Sequence, residues 1–279
     1  ICFMGLIIGI DVGGSTTKIV GLNDDKVISP MFINAGDPIT SLFGAFGKYL
    51  YDNGVSLGDV EHVMLTGVGS SNVDTPIYGL PTSKVGEFES DGLGAKYAVK
   101  TDPIMVVSMG TGTTLVQVNG DKIVHAGGIS MGGGTLQGLS RLLLKLRNVP
   151  NLVELASHGD ASKVNLQIKD ISKEELPGLP TFATASLFGK AVNNPVDDAD
   201  VAKGLIIMVL ETIGSAAVLS TLNSGINDFV LIGNMTRLPE CREVFPMMED
   251  LYGVHFHIPE HAVYLTALGA ALAYRHKTS

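Results

Sequence analysis

Two short stretches of the sequence carry the residue types that hold a phosphate chain. In IIGIDVGGSTTKIVGL (residues 7–22) an apolar run meets Asp11, then Gly13 and Gly14, then Ser15, Thr16 and Thr17, then Lys18. In IMVVSMGTGTTLVQV (residues 104–118) a similar order returns as Ser108, Gly110, Thr111, Gly112, Thr113 and Thr114. Phosphate recognition needs inward-pointing backbone N–H groups, residues small enough to let the chain approach, and hydroxyls or a cation to complete the shell. Lys18 has the reach for a terminal phosphate. Asp11, at the end of a strand, suits Mg²⁺ held through water and not the phosphate itself, because like charges repel. A tight hairpin turn, where glycine supplies positive φ, is the plain alternative for either segment. Neither has the GxxxxGK[ST] spacing, and neither runs into the helix that a dinucleotide fold demands. Two such turns, each heading a strand pair in its own half, point to a nucleotide clamped between halves.

The elements that must position these residues can be read from the hydrophobic pattern. Residues 6–21 read as a strand, a glycine turn and a second strand, with 26–32 as a third. A helix is predicted over 39–53, with Leu42, Phe43, Phe46, Tyr49 and Leu50 on one face. Residues 60–71 read as a strand emptying into a glycine turn, and the second half of KVGEFESDGLGAKYAV opens a helix. From about residue 99 the pattern restarts: strand, turn, strand, an Asn119-Gly120 hairpin turn, strand. SMGGGTLQGLSRLLLKLRNV then places Gly132, Gly133 and Gly134 at the mouth of a helix, with Leu136, Leu139, Leu143 and Leu146 on a shared face. Short helices and connections fill 150–198, a long helix covers about 201–224, and DFVLIGNMTRLP is a buried strand ending at Gly233 and Asn234. The tail is helical. Both halves begin alike, so the expected division is 1–98 and 99–279, a duplication of element order without sequence identity.

Composition narrows the partners. The net charge is −9 with no basic stripe, which argues against nucleic acid. Cys2 and Cys241 make neither a CxxC pair nor a disulfide framework, as expected in a reducing cytoplasm. ICFMGLII lacks a basic leader and reads as a strand, with Met4 a candidate start. The apolar run 204–225 carries Glu211 and several Gly, Ser and Thr residues, which favours a buried or interface helix over a membrane span. His158 reads as a turn residue with Asp160 as the cap of the adjoining segment, and His255 and His257 share a strand face without a third ligand nearby.

The two glycine segments resemble the phosphate loops of the actin/hexokinase/Hsp70 superfamily, and LIGNM (residues 231–235) resembles its adenosine loop. GGISMGGGTLQGLSRLL, LASHGD, VNLQIKDI and the Glu-Phe pair after the first half's glycine turn are similar, more narrowly, to the type II pantothenate kinases. The resemblance implies an α/β actin-like (ribonuclease H-like) duplicated ATPase fold, two half-domains with mixed sheets flanked by helices. It also implies a homodimer and MgATP-dependent phosphorylation of the primary hydroxyl of pantothenate. In that family a glutamate after the first glycine turn is the general base; the match here is Glu87, with Glu89 as its rival and a solvated acidic turn as the plain alternative. Asp11 and Lys18 join Glu87 as catalytic candidates. Ser108, His125 and Gly128 join it around the acceptor, and Gly13 to Thr17, Gly110 to Thr113, Gly132 to Gly134, Gly233 and Asn234 hold the nucleotide. The family commonly has arginine where this sequence has His125, a weaker cation without the planar fork. Other readings on the same loops are a kinase of another alcohol or sugar, a dehydratase-activating ATPase bridging an iron–sulfur cluster, and a regulatory nucleotide binder. The cysteines lie far from the GG run that the cluster reading needs.

Overall fold

The computed structural model describes residues 5–278 apart from 25, 35, 175, 193 and 194; Cys2 and the proposed start at Met4 lie outside the described residues. The first half contains β1 (Leu6–Val12), β2 (Thr16–Asn23), β3 (Lys26–Asn34), α1 (Pro38–Asn53), β4 (Val60–Thr66), β5 (Thr82–Lys84) and α2 (Glu87–Ala98). The second half opens with β6 (Ile104–Met109), β7 (Thr113–Asn119), β8 (Lys122–Ile129), α3 (Gly133–Leu144) and α4 (Val149–Ala156). A small insertion comes next: β9 (Leu166–Gln167), α5 (Ile168–Ile171) and β10 (Thr184–Ser186). The chain ends with α6 (Asp198–Ser220), β11 (Asp228–Ile232), α7 (Cys241–Tyr252), β12 (His255–His257) and α8 (Leu265–Thr278).

The duplication expected from element order is present in the sheets. One has the order β3-β2-β1-β4-β5 and the other β8-β7-β6-β11-β12. In each, the first three strands are antiparallel and the last two join in parallel. β1 therefore corresponds to β6, and Asp11 stands where Ser108 stands.

Between the sheets lie α2 and α8. The two helices pack on each other, α2 also against β6, β7 and β8, and α8 against β1, β2 and β4. Each half thus lends a helix to the other's sheet, and residue 98, the expected division, is the end of α2. The crossing is close because glycine stands at the contact points. A Cβ on Gly94 would overlap the Leu265 carbonyl, and one on Gly269 would overlap the Ser90 carbonyl. This contact explains why α2 starts earlier than its sequence suggests. Gly86 caps it without a side-chain bond, and Ser90, Asp91 and Gly92 are poor helix formers. Tertiary packing, not local propensity, sets the start at Glu87.

On the outer faces α1 covers the first sheet, burying Leu42, Ala45, Phe46 and Tyr49, while α6 sits in the core of the second. α6 is long and apolar enough to cross a membrane by composition, yet Leu205, Ile206, Val209, Leu210, Ile213 and Ala217 are buried against protein. The leucine face expected on α3 is shorter than its sequence suggested. The helix ends at Leu144 with Lys145 in the left-handed conformation, so Leu146 lies beyond it, and Leu143 is exposed.

Candidate active site

The period-two alternation of β1 decides which side chains meet. Leu6, Ile8, Ile10 and Val12 point to α1, while Ile7, Gly9 and Asp11 share the face towards α8. In β6, Ile104 and Val106 face α2 and α8, and Ser108 continues that row. Both strands consequently end with a polar group aimed into the space between the sheets. There a cavity of about 520 Å³ is lined by Asp11, Lys18, Glu87, Ser108, Gly128 and Thr266, with the two glycine loops and Gly233–Asn234 at its edges.

The loops are turns and cradle at once. Gly13 N–H donates to the Thr16 carbonyl (3.0 Å), which closes the first turn and leaves Gly14 and Ser15 exposed at its tip. Gly110 N–H likewise donates to the Gly112 carbonyl (2.9 Å). The triple glycine has a different role from the one its position suggested. Gly133 and Gly134 donate to the carbonyls of Gly110 and Thr111, both at 2.9 Å, and a Cβ on Gly132 would come within 2.5 Å of the Thr111 carbonyl. Gly132, Gly133 and Gly134 are therefore outside the cavity lining, and they brace the second loop from behind. Thr17, fully buried with its hydroxyl unpartnered, also lies outside it.

Three carboxylates gather beneath the loops. Asp11 accepts a bond from Lys18 Nζ at 2.8 Å, both nearly buried on paired positions of β1 and β2. Gly67, at φ 84°, passes so close over Asp11 that a Cβ there would strike its Oδ1. Glu87, the first residue of α2, has its carboxyl pushed above the usual range, by burial first and then by the charge of Asp11, with Lys18 opposing. One turn on, Asp91 is wholly buried and is pushed up to about 7 by desolvation and by Glu87 and Asp11, against the hydrogen bonds from Thr266 and Ser108.

Asp11, Lys18, Glu87, Ser108, Gly128, both loop tips, Gly233 and Asn234 thus lie around one cavity. His125 is elsewhere: it stacks on the Phe88 ring, 4.1 Å between centroids and 6° from parallel, outside the cavity lining. Glu89 is exposed. Val68, Ile129, Ser130 and Thr266 line the cavity without having been singled out. For Thr266 no local signal existed, since its partners are on α2. Asp91 was visible only as one acid in an acidic run.

The residues present fit a nucleotide and its metal. Asn234 Nδ2 donates to Thr16 Oγ1 (3.0 Å) across the cavity mouth, while its buried Oδ1 has no partner. Arg237 lies 4.6 Å from the Phe32 ring centroid and makes a second tie between the halves. Asp11 is the carboxylate suited to Mg²⁺, beside the tip of the first loop. His257 pairs with Asp228 at 2.6 Å, and among the described residues no cluster of three His, Cys, Asp or Glu side chains forms a metal site. Cys241 is buried, donates to the Met235 carbonyl, and has its thiol pushed up to about 12 by burial, so it does not serve as a cluster ligand at the GG run. Asp160 caps the turn after His158 by accepting from Ser162 N–H.

Comparison with known proteins gives a family and a fold. The Fumble family profile matches residues 94–273, well over half of the chain. Pantothenate kinase 1 of Arabidopsis thaliana is 32% identical over 189 residues, which are 62% of this chain and 48% of that protein. The chain thus spans about half the length of that plant relative. The type II pantothenate kinase of Staphylococcus haemolyticus is 27% identical over 274 residues, 94% of this chain and 98% of that one. Among solved structures, the activator of the 2-hydroxyisocaproyl-CoA dehydratase from Clostridium difficile with bound ADPNP has a similar fold. Its TM-score is 0.69 at 16% identity, over 98% of both chains. The actin-like duplicated α/β architecture expected from the loops is the one observed.

Proposed function

The chain belongs to the Fumble family, the type II pantothenate kinases, which are ATP-dependent small-molecule kinases, and from that premise we propose that it phosphorylates pantothenate, the first step towards coenzyme A. The observation that carries this reading is the convergence of Asp11, Glu87 and two glycine loops from opposite halves on one cavity.

The loop tips bring Gly14, Ser15, Thr111 and Gly112 against the phosphates, with glycine letting the backbone approach. Mg²⁺, which Asp11 would hold through water, supplies charge neutralisation on the phosphate chain when bound. Glu87 takes the proton of the primary hydroxyl as its oxygen bonds to the γ-phosphorus and the bond to ADP breaks. Burial and the charge of Asp11 raise its proton affinity, which makes it a stronger base than an exposed glutamate. α2 and α8 back the site with packed helix, and the Asn234–Thr16 and Arg237–Phe32 contacts tie the halves around it, as water exclusion requires.

One observation favours a second reading, a kinase of another small alcohol. His125, in the place of the expected acceptor-binding arginine, stacks on Phe88 instead of facing the cavity. The deciding experiment is ADP release from MgATP with and without pantothenate. Pantothenate-dependent release is the expected result. ATP binding without it would keep the kinase, discard this substrate and call for a panel of small alcohols.

A further inference from the structure

Asp91 lies one helical turn after Glu87 on the same face of α2 and has no exposed surface. Thr266 Oγ1 donates to its Oδ1 at 2.6 Å, Oδ2 has no close partner, and the Ser108 hydroxyl is near enough to favour the ionised carboxyl as Thr266 does. No cation pairs with Asp91 among the described residues; Lys18 is engaged by Asp11. Thr266 is itself nearly buried, yet it lines the cavity from the start of α8, beside the wall that carries Glu87. A hydroxyl has one hydrogen and two lone pairs. With its hydrogen committed to Asp91, Thr266 can address the cavity only as an acceptor.

We propose that Asp91 is a positioning residue that locks the Thr266 hydroxyl as a hydrogen-bond acceptor beside Glu87, where it receives an O–H or N–H group of the alcohol substrate. The inference rests on the kinase reading and adds a specificity element to it. Nucleotide phosphate oxygens carry no hydrogen to donate at neutral pH, so the same lone pairs disfavour them and favour the acceptor. Pantothenate has both hydroxyls and an amide N–H to offer. Burial raises the carboxyl to about 7, and Oδ1 accepts from Thr266 whether or not Oδ2 carries the proton.

The test is steady-state kinetics on Thr266→Val, Thr266→Ser, Asp91→Ala and Asp91→Asn, with folding checked by thermal melting. Thr266→Val should raise the KM for pantothenate roughly tenfold, the size of one lost hydrogen bond, with the KM for ATP held within about twofold. Thr266→Ser should restore it. Asp91→Ala should raise the pantothenate KM about threefold by freeing the hydroxyl, and Asp91→Asn, whose amide oxygen still accepts, should not. An unchanged pantothenate KM in Thr266→Val, or an equal rise for ATP, overturns the proposal. Should Thr266→Val not fold, equal pantothenate KM values in Asp91→Ala and Asp91→Asn overturn it. Wild-type protein that ignores pantothenate but phosphorylates another alcohol defeats the substrate assignment alone, and the same variants are then compared on that alcohol. Wild-type protein inert on every alcohol overturns both.

Discussion

Asp11 and Lys18 face each other across the β1–β2 pair with Oδ2 and Nζ 2.8 Å apart, both nearly buried at the mouth of the first glycine loop. The lysine is thereby spent on the metal-ligand candidate and is not extended towards a terminal phosphate. A buried charge left without its partner is costly, on the order of 3–5 kcal/mol. Asp11→Asn should therefore lose both turnover and stability, with Lys18 stranded. Asp11→Asn combined with Lys18→Met should regain much of the stability and none of the activity. Chemical denaturation alongside an ADP-release assay would show this; recovery of turnover in the double variant would remove Asp11 from the catalytic machinery.

Glu87→Gln should bind ATP normally and lose about 10²–10⁴ in kcat, the usual contribution of a general base. The wild-type rate should fall on acidification with a midpoint above the ordinary glutamate value of 4.5, since burial and Asp11 both raise Glu87. A pH–rate profile reads this directly. A near-normal rate in the glutamine variant would assign the base elsewhere.

Asp91 predicts a pH dependence of stability. Its carboxyl rises from 3.8 to about 7 on folding. The native state therefore holds a proton that the unfolded chain has released between those values. Stability from this group is complete below about 4 and is lost as pH climbs through about 7, amounting to something on the order of 4 kcal/mol. Asp91→Asn cannot ionise, so urea unfolding should find it gaining on the wild type between pH 5 and pH 8. A constant difference across that range would mean that Asp91 is ionised in the fold.

Gly269→Ala forces a Cβ onto the Ser90 carbonyl, where neither helix can yield without moving α2 from α8. The expected cost is about 1–3 kcal/mol or more, the range for overpacking. Because Glu87 and Asp91 ride on α2, the melting temperature and kcat should drop together.

His125→Ala should leave the pantothenate KM within about threefold of wild type, since the ring stands on Phe88 outside the cavity lining and a partly exposed stacking contact is worth little more. A larger rise, measured in the ADP-release assay, would mean that the ring turns inward when the acceptor binds.

The sequence by itself determined the local parts. Glycine turns with flanking β-branched runs, the Asn119-Gly120 hairpin and the restart near residue 99 arise from short-range sterics and period-two burial, and they were legible in the residues alone. The same alternation gave Asp11 and Ser108 equivalent places. Only the tertiary structure decided what those parts face. α2 begins at Glu87 because two glycines let it cross α8, and Thr266 reaches the cavity because its helix folds back onto the opposite half. His125 is turned away by a ring on that same α2, and the triple glycine is used up in bracing a neighbouring loop. Each of these depends on contacts between residues far apart in the chain. Such contacts are set by close packing between elements and leave no periodic trace in the residues themselves.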